Sequence, residues 1–167
     1  INKGPVVQER SYKNEIQVRS DTDKGTDYDG PLAVLVNRSS ASASEIFAGA
    51  IQDYGRGIIL GGQTYGKGTV QVIKNLDRRV QPDGGMGQIK FTYSKYYRIN
   101  GESTQHKGVM PDIVFPSAFN GEEYGESAQP NALPWDVISA VDFIPVSDVQ
   151  ALLPGLKKAH KNRVATA

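Results

Sequence analysis

Two short stretches of this chain concentrate the residue types that could do covalent chemistry. The first is Asn37-Arg38-Ser39-Ser40-Ala41-Ser42-Ala43-Ser44-Glu45-Ile46; the second is Gly61-Gly62-Gln63-Thr64-Tyr65-Gly66-Lys67-Gly68-Thr69-Val70-Gln71. A serine hydroxyl is a weak nucleophile and needs a base within hydrogen-bond reach. The chain has two histidines, His106 in a polar turn and His160 in a basic terminal stretch. Neither stands in a glycine-rich, strand-edged setting, so a Ser–His–Asp triad has poor material. A lysine can substitute if its amine is neutral, a form that desolvation favours. Lys67 lies between Gly66 and Gly68, where backbone can approach other elements closely. In extended chain Lys67, Thr69 and Gln71 point to one face. Gln71 can then hold the amine without adding charge, where a carboxylate would keep it protonated.

Ser42 falls where a helix should begin. There the helix dipole and free N–H groups favour negative charge, and the Ala43 N–H is a natural donor to an oxyanion. Each residue also has a plainer reading. Ser42-Ala43-Ser44-Glu45 matches the S-x-x-E capping box, in which the serine caps the helix and the glutamate returns the bond. Gly61 to Lys67 matches G-x-x-x-x-G-K, the start of a phosphate-binding loop. That motif needs Ser or Thr next and then a helix, whereas Gly68 follows and Thr69-Val70-Gln71-Val72-Ile73 is β-type.

The elements that must position these residues are legible. Pro31–Val36 is a continuous apolar run suited to a buried strand. A helix follows from about Ser42 to Tyr54, with Ile46, Phe47, Ala50, Ile51 and Tyr54 on one face and Gly55 and Gly57 ending it. Gly57–Gly61 is a second buried strand, and strand–helix–strand order predicts an α/β core with parallel pairing. Pro5–Val18 reads as an extended pair, and Thr69–Leu76 and Gln88–Ile99 as strands. Alternation in the last predicts one wet face. Pro82–Gly87 is a turn, and Gly108–Pro116 closes the core with a short strand. Trp135–Val141 and Val149–Val164 are predicted helical. The acidic loop Ser20–Gly30 lacks the Gly and Glu that a calcium loop needs in their places.

With 167 residues the chain can bury one sizeable core with an appendage. Its 19 basic and 18 acidic residues leave a formal charge of +1, which gives no reason to expect nucleic acid or an anionic membrane as partner. No apolar run reaches the ~18–20 residues of an integral membrane segment. The absence of cysteine excludes a thiol nucleophile, a disulfide frame and a thiolate metal site, and suits cytoplasm and periplasm alike. Ile1 is not a natural start, so the chain is read as a piece of something longer.

Taken together, the two stretches resemble the C-terminal processing peptidases, or tail-specific proteases. S-A-S-A-S-E-I-F-A from Ser40, D-Y-G-R from Asp53 and T-Y-G-K-G-T-V-Q from Thr64 carry the resemblance, with K-G-V-M-P-D-I from Lys107. Asn131-Ala132-Leu133-Pro134-Trp135-Asp136 and the tail are similar to the larger periplasmic branch. The resemblance implies an α/β fold, a partial Clp protease–crotonase-like core with a C-terminal helical tail. Residues 1–116 would be the C-terminal part of the protease core, 117–134 a linker and 135–167 the helical tail. It implies Ser42 as nucleophile, Lys67 as general base, Gln71 as its orienting residue and no metal or organic cofactor. Asp53 matches an acid sometimes counted with the catalytic set. Along one helix it would stand roughly 16 Å from Ser42, so it is expected to be supporting, organising the turn before Arg56 as its ion-pair partner. The implied activity is a serine endopeptidase with a Ser–Lys dyad, acting on proteins with accessible apolar C-terminal tails in the bacterial periplasm. Members also carry a PDZ domain and N-terminal segments, absent before Ile1, so the piece alone is expected to fold without being active. The alternative from another class is a non-catalytic binding or scaffolding module on the same fold.

Overall fold

The apolar runs on either side of the Ser42 stretch pair with each other. In the computed structural model, which describes residues 1–76, 85–117 and 123–166, β3 (Ala33–Val36) lies parallel to β4 (Ile58–Gly61), from Ala33 opposite Ile58 to Val36 opposite Gly61. The crossover between them is helix α1 (Ala43–Asp53), and β7 (Ile113–Val114) joins the far edge of β4 in parallel. Val36, Ala48, Ile51, Ile59 and Val109 form the buried core, with Leu32 and Val34 packed against it. Full burial of each larger member stabilises by about 1.5–3 kcal/mol.

Helix α1 is rotated from the expected face. Phe47 is 53% exposed, while Ala48 is fully buried beside Ile51 and Tyr54. The reason is Glu45, also fully buried, which turns inward to four hydrogen-bond donors and sets the phase of the helix.

The second sheet is antiparallel, in the order β2 (Ile16–Asp21), β1 (Gly4–Ser11), β6 (Gln88–Tyr97), β5 (Thr69–Asn75). Here too an expectation fails. Both faces of β6 are exposed from Gln88 to Tyr93, and Ser94 to Tyr97 are all buried. Along β6, strand β1 pairs only with Ser94–Tyr97, so among the described residues no further strand pairs with the outer half of the β5–β6 ribbon. Of the expected turn Pro82–Gly87, residues 82–84 lie outside the described residues.

Trp135–Val141 is extended, not helical. Pro134 precedes it, and residues 99–103 offer backbone partners: Ile138 N–H donates to Gly101 O (2.9 Å) and Val141 N–H to Ile99 O (3.0 Å). Arg10 fixes Asp136 at 2.5 Å, and the Trp135 indole donates to Ser103 O at 2.9 Å. These tertiary partners outweigh local helix preference. The predicted helix Val149–Val164 forms in two parts, a 3-10 turn at Val149–Leu152 running into the tail helix α2 (Leu153–Ala165). The expected linker is also partly built: Glu126–Ala128 forms a single 3-10 turn held by Tyr65 O. No helix among the described residues is long and apolar enough to cross a membrane.

Candidate active site

Ser42 sits at the junction of β3 and α1. After Val36 the chain turns on itself, Ser40 N–H donating to Asn37 O and Ser39 N–H to the Asn37 side chain, each at 2.9 Å. Buried Arg38 reaches across to Thr64 O (2.5 Å), and Tyr65 N–H donates to Ser40 O (2.9 Å), so the first stretch is stitched to the second. Ser42 itself has φ 57° and ψ −114°. An ordinary capping serine sits in the β region. A non-glycine residue here costs about 1–3 kcal/mol and persists only where its surroundings over-determine it.

Those surroundings are Glu45 and Tyr96. The Glu45 carboxylate accepts from Ser42 N–H (2.8 Å) and Lys67 N–H (3.0 Å) on one oxygen, and from the Thr64 hydroxyl (2.6 Å) and Gly66 N–H (2.7 Å) on the other. Thus the glutamate half of the capping box forms, but the same carboxylate also holds the second stretch. Burial pushes its carboxyl above the ordinary value, against the pull of these four bonds. The Tyr96 hydroxyl meets the carbonyls of both residues, Ser42 O at 3.2 Å and Lys67 O closer still. Burial, with the Glu45 charge nearby, pushes that phenol far up, so it stays a neutral donor. The main chains of Ser42 and Lys67 are therefore tied together through N–H and C=O alike.

The glycines around Lys67 have the expected use. Gly66, at φ +91°, would set a Cβ 2.7 Å from His106 O, and a Cβ on Gly68 would meet Gln105 N at 2.7 Å. Close approach lets His106 N–H reach Gly66 O (2.8 Å) and Gly68 N–H reach the buried Gln105 side chain (2.8 Å). Lys67, Thr69 and Gln71 line one groove together with Ala41, the neighbour of Ser42. Neither the Lys67 ammonium nor the Gln71 amide is hydrogen-bonded to protein among the described residues. The N–H of Ala43, first residue of α1, likewise has no protein acceptor there.

Asp53 stands at the other end of α1 from Ser42. Its partner is not Arg56 but Arg98, which grips it through Nη2 (2.6 Å) and Nε (3.1 Å), with Asn100 adding a bond at 3.2 Å. Arg56 instead donates to Gly30 O (3.0 Å) and Tyr28 O (2.5 Å) and lies over the Tyr28 ring. Burial pushes the Asp53 carboxyl up and the Arg98 bonds pull it down. The geometry makes Asp53 the tie between α1 and the end of β6.

Two arrangements thus coincide: a strained serine on a strand–turn–helix junction, and a glycine-flanked lysine clamped beside it. The family model of peptidase family S41 matches residues 1–115. This chain belongs to that family. The model of the C-terminal domain of tail specific protease matches residues 119–167. The chain is 45% identical to the tail-specific protease of Haemophilus influenzae over 99% of its own length and 24% of that protein's. It is 42% identical to a carboxy-terminal-processing protease of Bartonella bacilliformis over 76% of its length and 29% of that protein's. The chain spans about a quarter of the length of these relatives. Among solved structures, the photosystem II D1 C-terminal processing protease superposes with TM-score 0.59 at 34% identity, covering 69% of this chain and 28% of that one. The α/β fold is therefore that of a C-terminal processing protease.

Three contributors were not anticipated. Glu45 was visible only as a capping partner, although it is the acid nearest the serine run. Tyr96 and Gln105 lie far along the chain and carry no local signal.

Proposed function

We propose that this S41 chain carries the catalytic residues of a serine endopeptidase working through a Ser42–Lys67 dyad. The observation that carries this reading is the backbone of Ser42. A helix cap has no need of φ 57°, whereas a nucleophile that must stand clear of its helix does. In this reading Lys67 Nζ takes the Ser42 proton as Oγ bonds to the peptide carbonyl carbon. Gln71 orients the amine, and the Ala43 N–H receives the developing oxyanion. Lys67 returns the proton to the departing amine as the C–N bond breaks. Water then attacks the acyl-enzyme, giving its proton to Lys67, and the Ser42 oxygen leaves with a proton. Asp53 supports the helix that presents Ser42. The similarity to proteins named tail-specific and carboxy-terminal-processing protease supports action at C-terminal tails; that these tails are accessible and apolar is part of the proposal. A PDZ domain elsewhere in the protein as the capturing element, and the bacterial periplasm as compartment, complete the proposal.

The test uses the full-length protein. Ser42→Ala and Lys67→Ala should each abolish cleavage of an unfolded protein substrate and the reaction of Ser42 with a fluorophosphonate. Ser44→Ala, which alters an exposed neighbour, should retain both. Undiminished cleavage by Ser42→Ala would remove the hydrolase assignment in favour of a non-catalytic module.

A further inference from the structure

The groove beside Lys67 has a second wall that the chemistry above does not use. The first wall is the sheet face carrying Lys67, Thr69 and Gln71, with Lys90 and Thr92 beside them on β6. The second is the segment from Glu126 to Leu133, and the space between holds about 640 Å³, within the usual range of a ligand site.

This segment is a strap fastened at both ends to the elements that hold Lys67. At its start, Glu126 N–H donates to Tyr65 O (3.0 Å), and Gln105 Nε2 donates to the Glu126 carboxylate (3.1 Å). Gln105 is fully buried, and its other amide atom is the acceptor for Gly68 N–H. One side chain thus joins the strap to the residue after the base. At the far end, Lys95 Nζ donates to Pro134 O (2.7 Å) and pairs with Asp136. Lys95 is the direct cross-strand partner of Thr69, so this fastening lies on the groove's own sheet face. Between the two anchors the strap turns Pro130, Ala132 and Leu133 to the groove. Leu133 remains 39% exposed, an apolar side chain that a ligand can still cover.

The strap belongs to the region matched by the C-terminal domain of tail specific protease, whereas Lys67 and Gln71 lie in the region matched by family S41. The groove is therefore built where the two meet. We propose, resting on the protease reading above, that the strap is the specificity wall of this site. An extended polypeptide lies between the β5–β6 face and the strap. Leu133, with Ala132 and Pro130, selects an apolar side chain near the scissile bond. A pocket contact of this kind discriminates by roughly 10- to 200-fold for one methylene, and a charge placed in it discriminates in the opposite sense.

The test compares the full-length wild type with Leu133→Glu and Ala132→Glu. One peptide sequence is used, carrying Leu, Lys or Asp in turn at each position flanking the cleaved bond. The ratio of kcat/KM for Lys to that for Leu peptides should rise at least tenfold in both variants at one and the same position. Unchanged ratios would overturn the proposal. Loss of all cleavage together with loss of fluorophosphonate reaction in both variants would overturn it too, making the strap a brace for Ser42. If instead Ser42→Ala cleaved like wild type, the dyad reading would fail while the ratios still reported on the strap.

Discussion

The strongest single test of the tie between the Ser42 and Lys67 stretches is Glu45→Gln, which is nearly isosteric but replaces one acceptor oxygen by a donor. The carboxylate accepts four bonds of 2.6 to 3.0 Å, three from backbone N–H groups and one from a hydroxyl. If the new NH2 takes the position shared by Ser42 and Lys67, two N–H donors lose their acceptor and face another donor. If it takes the other position, the Thr64 hydroxyl can rotate to accept and aim its proton elsewhere, and Gly66 N–H is the backbone donor left unpaired. The second placement sets the lower bound. One unpaired buried donor costs about 1–3 kcal/mol, and bonds to a charged group are worth about 1.5–3 kcal/mol each. The expected loss is then about 2–4 kcal/mol, out of the 5–15 kcal/mol typical of a folded domain. Urea unfolding of the full-length variant reads the loss. Amide hydrogen exchange reads its location: rates at Gly66 and its neighbours should rise by more than those of distant core amides, whose rise follows the global loss alone. A loss below about 1 kcal/mol, or exchange unchanged around Gly66, would show that Glu45 does not hold the two stretches together.

Tyr96→Phe removes only the hydroxyl that joins the carbonyls of Ser42 and Lys67. It should cost about 0.5–1.5 kcal/mol of stability and lower kcat by tenfold or more with KM little changed, as measured by steady-state peptide cleavage. Gly66→Ala combines φ +91° with a Cβ 2.7 Å from His106 O, so activity should fall at least a hundredfold while α2, remote from the loop, keeps its helical signal in circular dichroism. Asp136 gives a pH prediction. Partial burial pushes its carboxyl up, but hydrogen bonds and charge from Lys95 and Arg10 outweigh this and hold it below the ordinary value. The sign follows: its contribution is present above the unfolded value of about 3.9 and is lost as pH falls through the lower folded value. Denaturation midpoints of wild type and Asp136→Asn should differ at pH 6 and converge below about pH 3.9.

Much of this was legible because it is local. Pro31–Val36 and Gly57–Gly61 are strands on composition alone, and the intervening helix has its cap and its glycine stop in place; burial on both faces fails for the first, where Val36 is buried but Leu35 is 72% exposed because only one face of the sheet is covered. The shared face of Lys67, Thr69 and Gln71 follows from strand periodicity and is the face that lines the groove. What escaped depends on partners distant in sequence. Arg98, 45 residues beyond Asp53, displaces the nearby Arg56 as its ion-pair partner because it arrives just past the end of β6 with its fork aligned. Trp135–Val141 has helix-compatible residues, and only the backbone of residues 99–103 makes it extended. Helical spacing puts Phe47 on the core face, but buried Glu45 takes the inward direction and leaves Phe47 exposed. A buried carboxylate is the least expected resident of an apolar helix face, and periodicity has no means of announcing it.

That carboxylate bears on the proposed Lys67 base through the main chain. Glu45 takes four short bonds, none of them from the Lys67 amine; it addresses Lys67 through the backbone N–H. The other carboxylate on the groove, Glu126, receives the Gln105 amide. On its own strand face the lysine side chain stands with Thr69 and Gln71, which offer polarity without charge, while Lys90 and Glu126 also line the groove. Exchanging Gln71 for Glu would add a carboxylate on the face that carries Lys67. The full-length variant should then cleave at least a hundredfold more slowly than wild type at pH 7 in a steady-state peptide assay. A Gln71→Glu variant as active as wild type at pH 7 would mean that Lys67 is not the base.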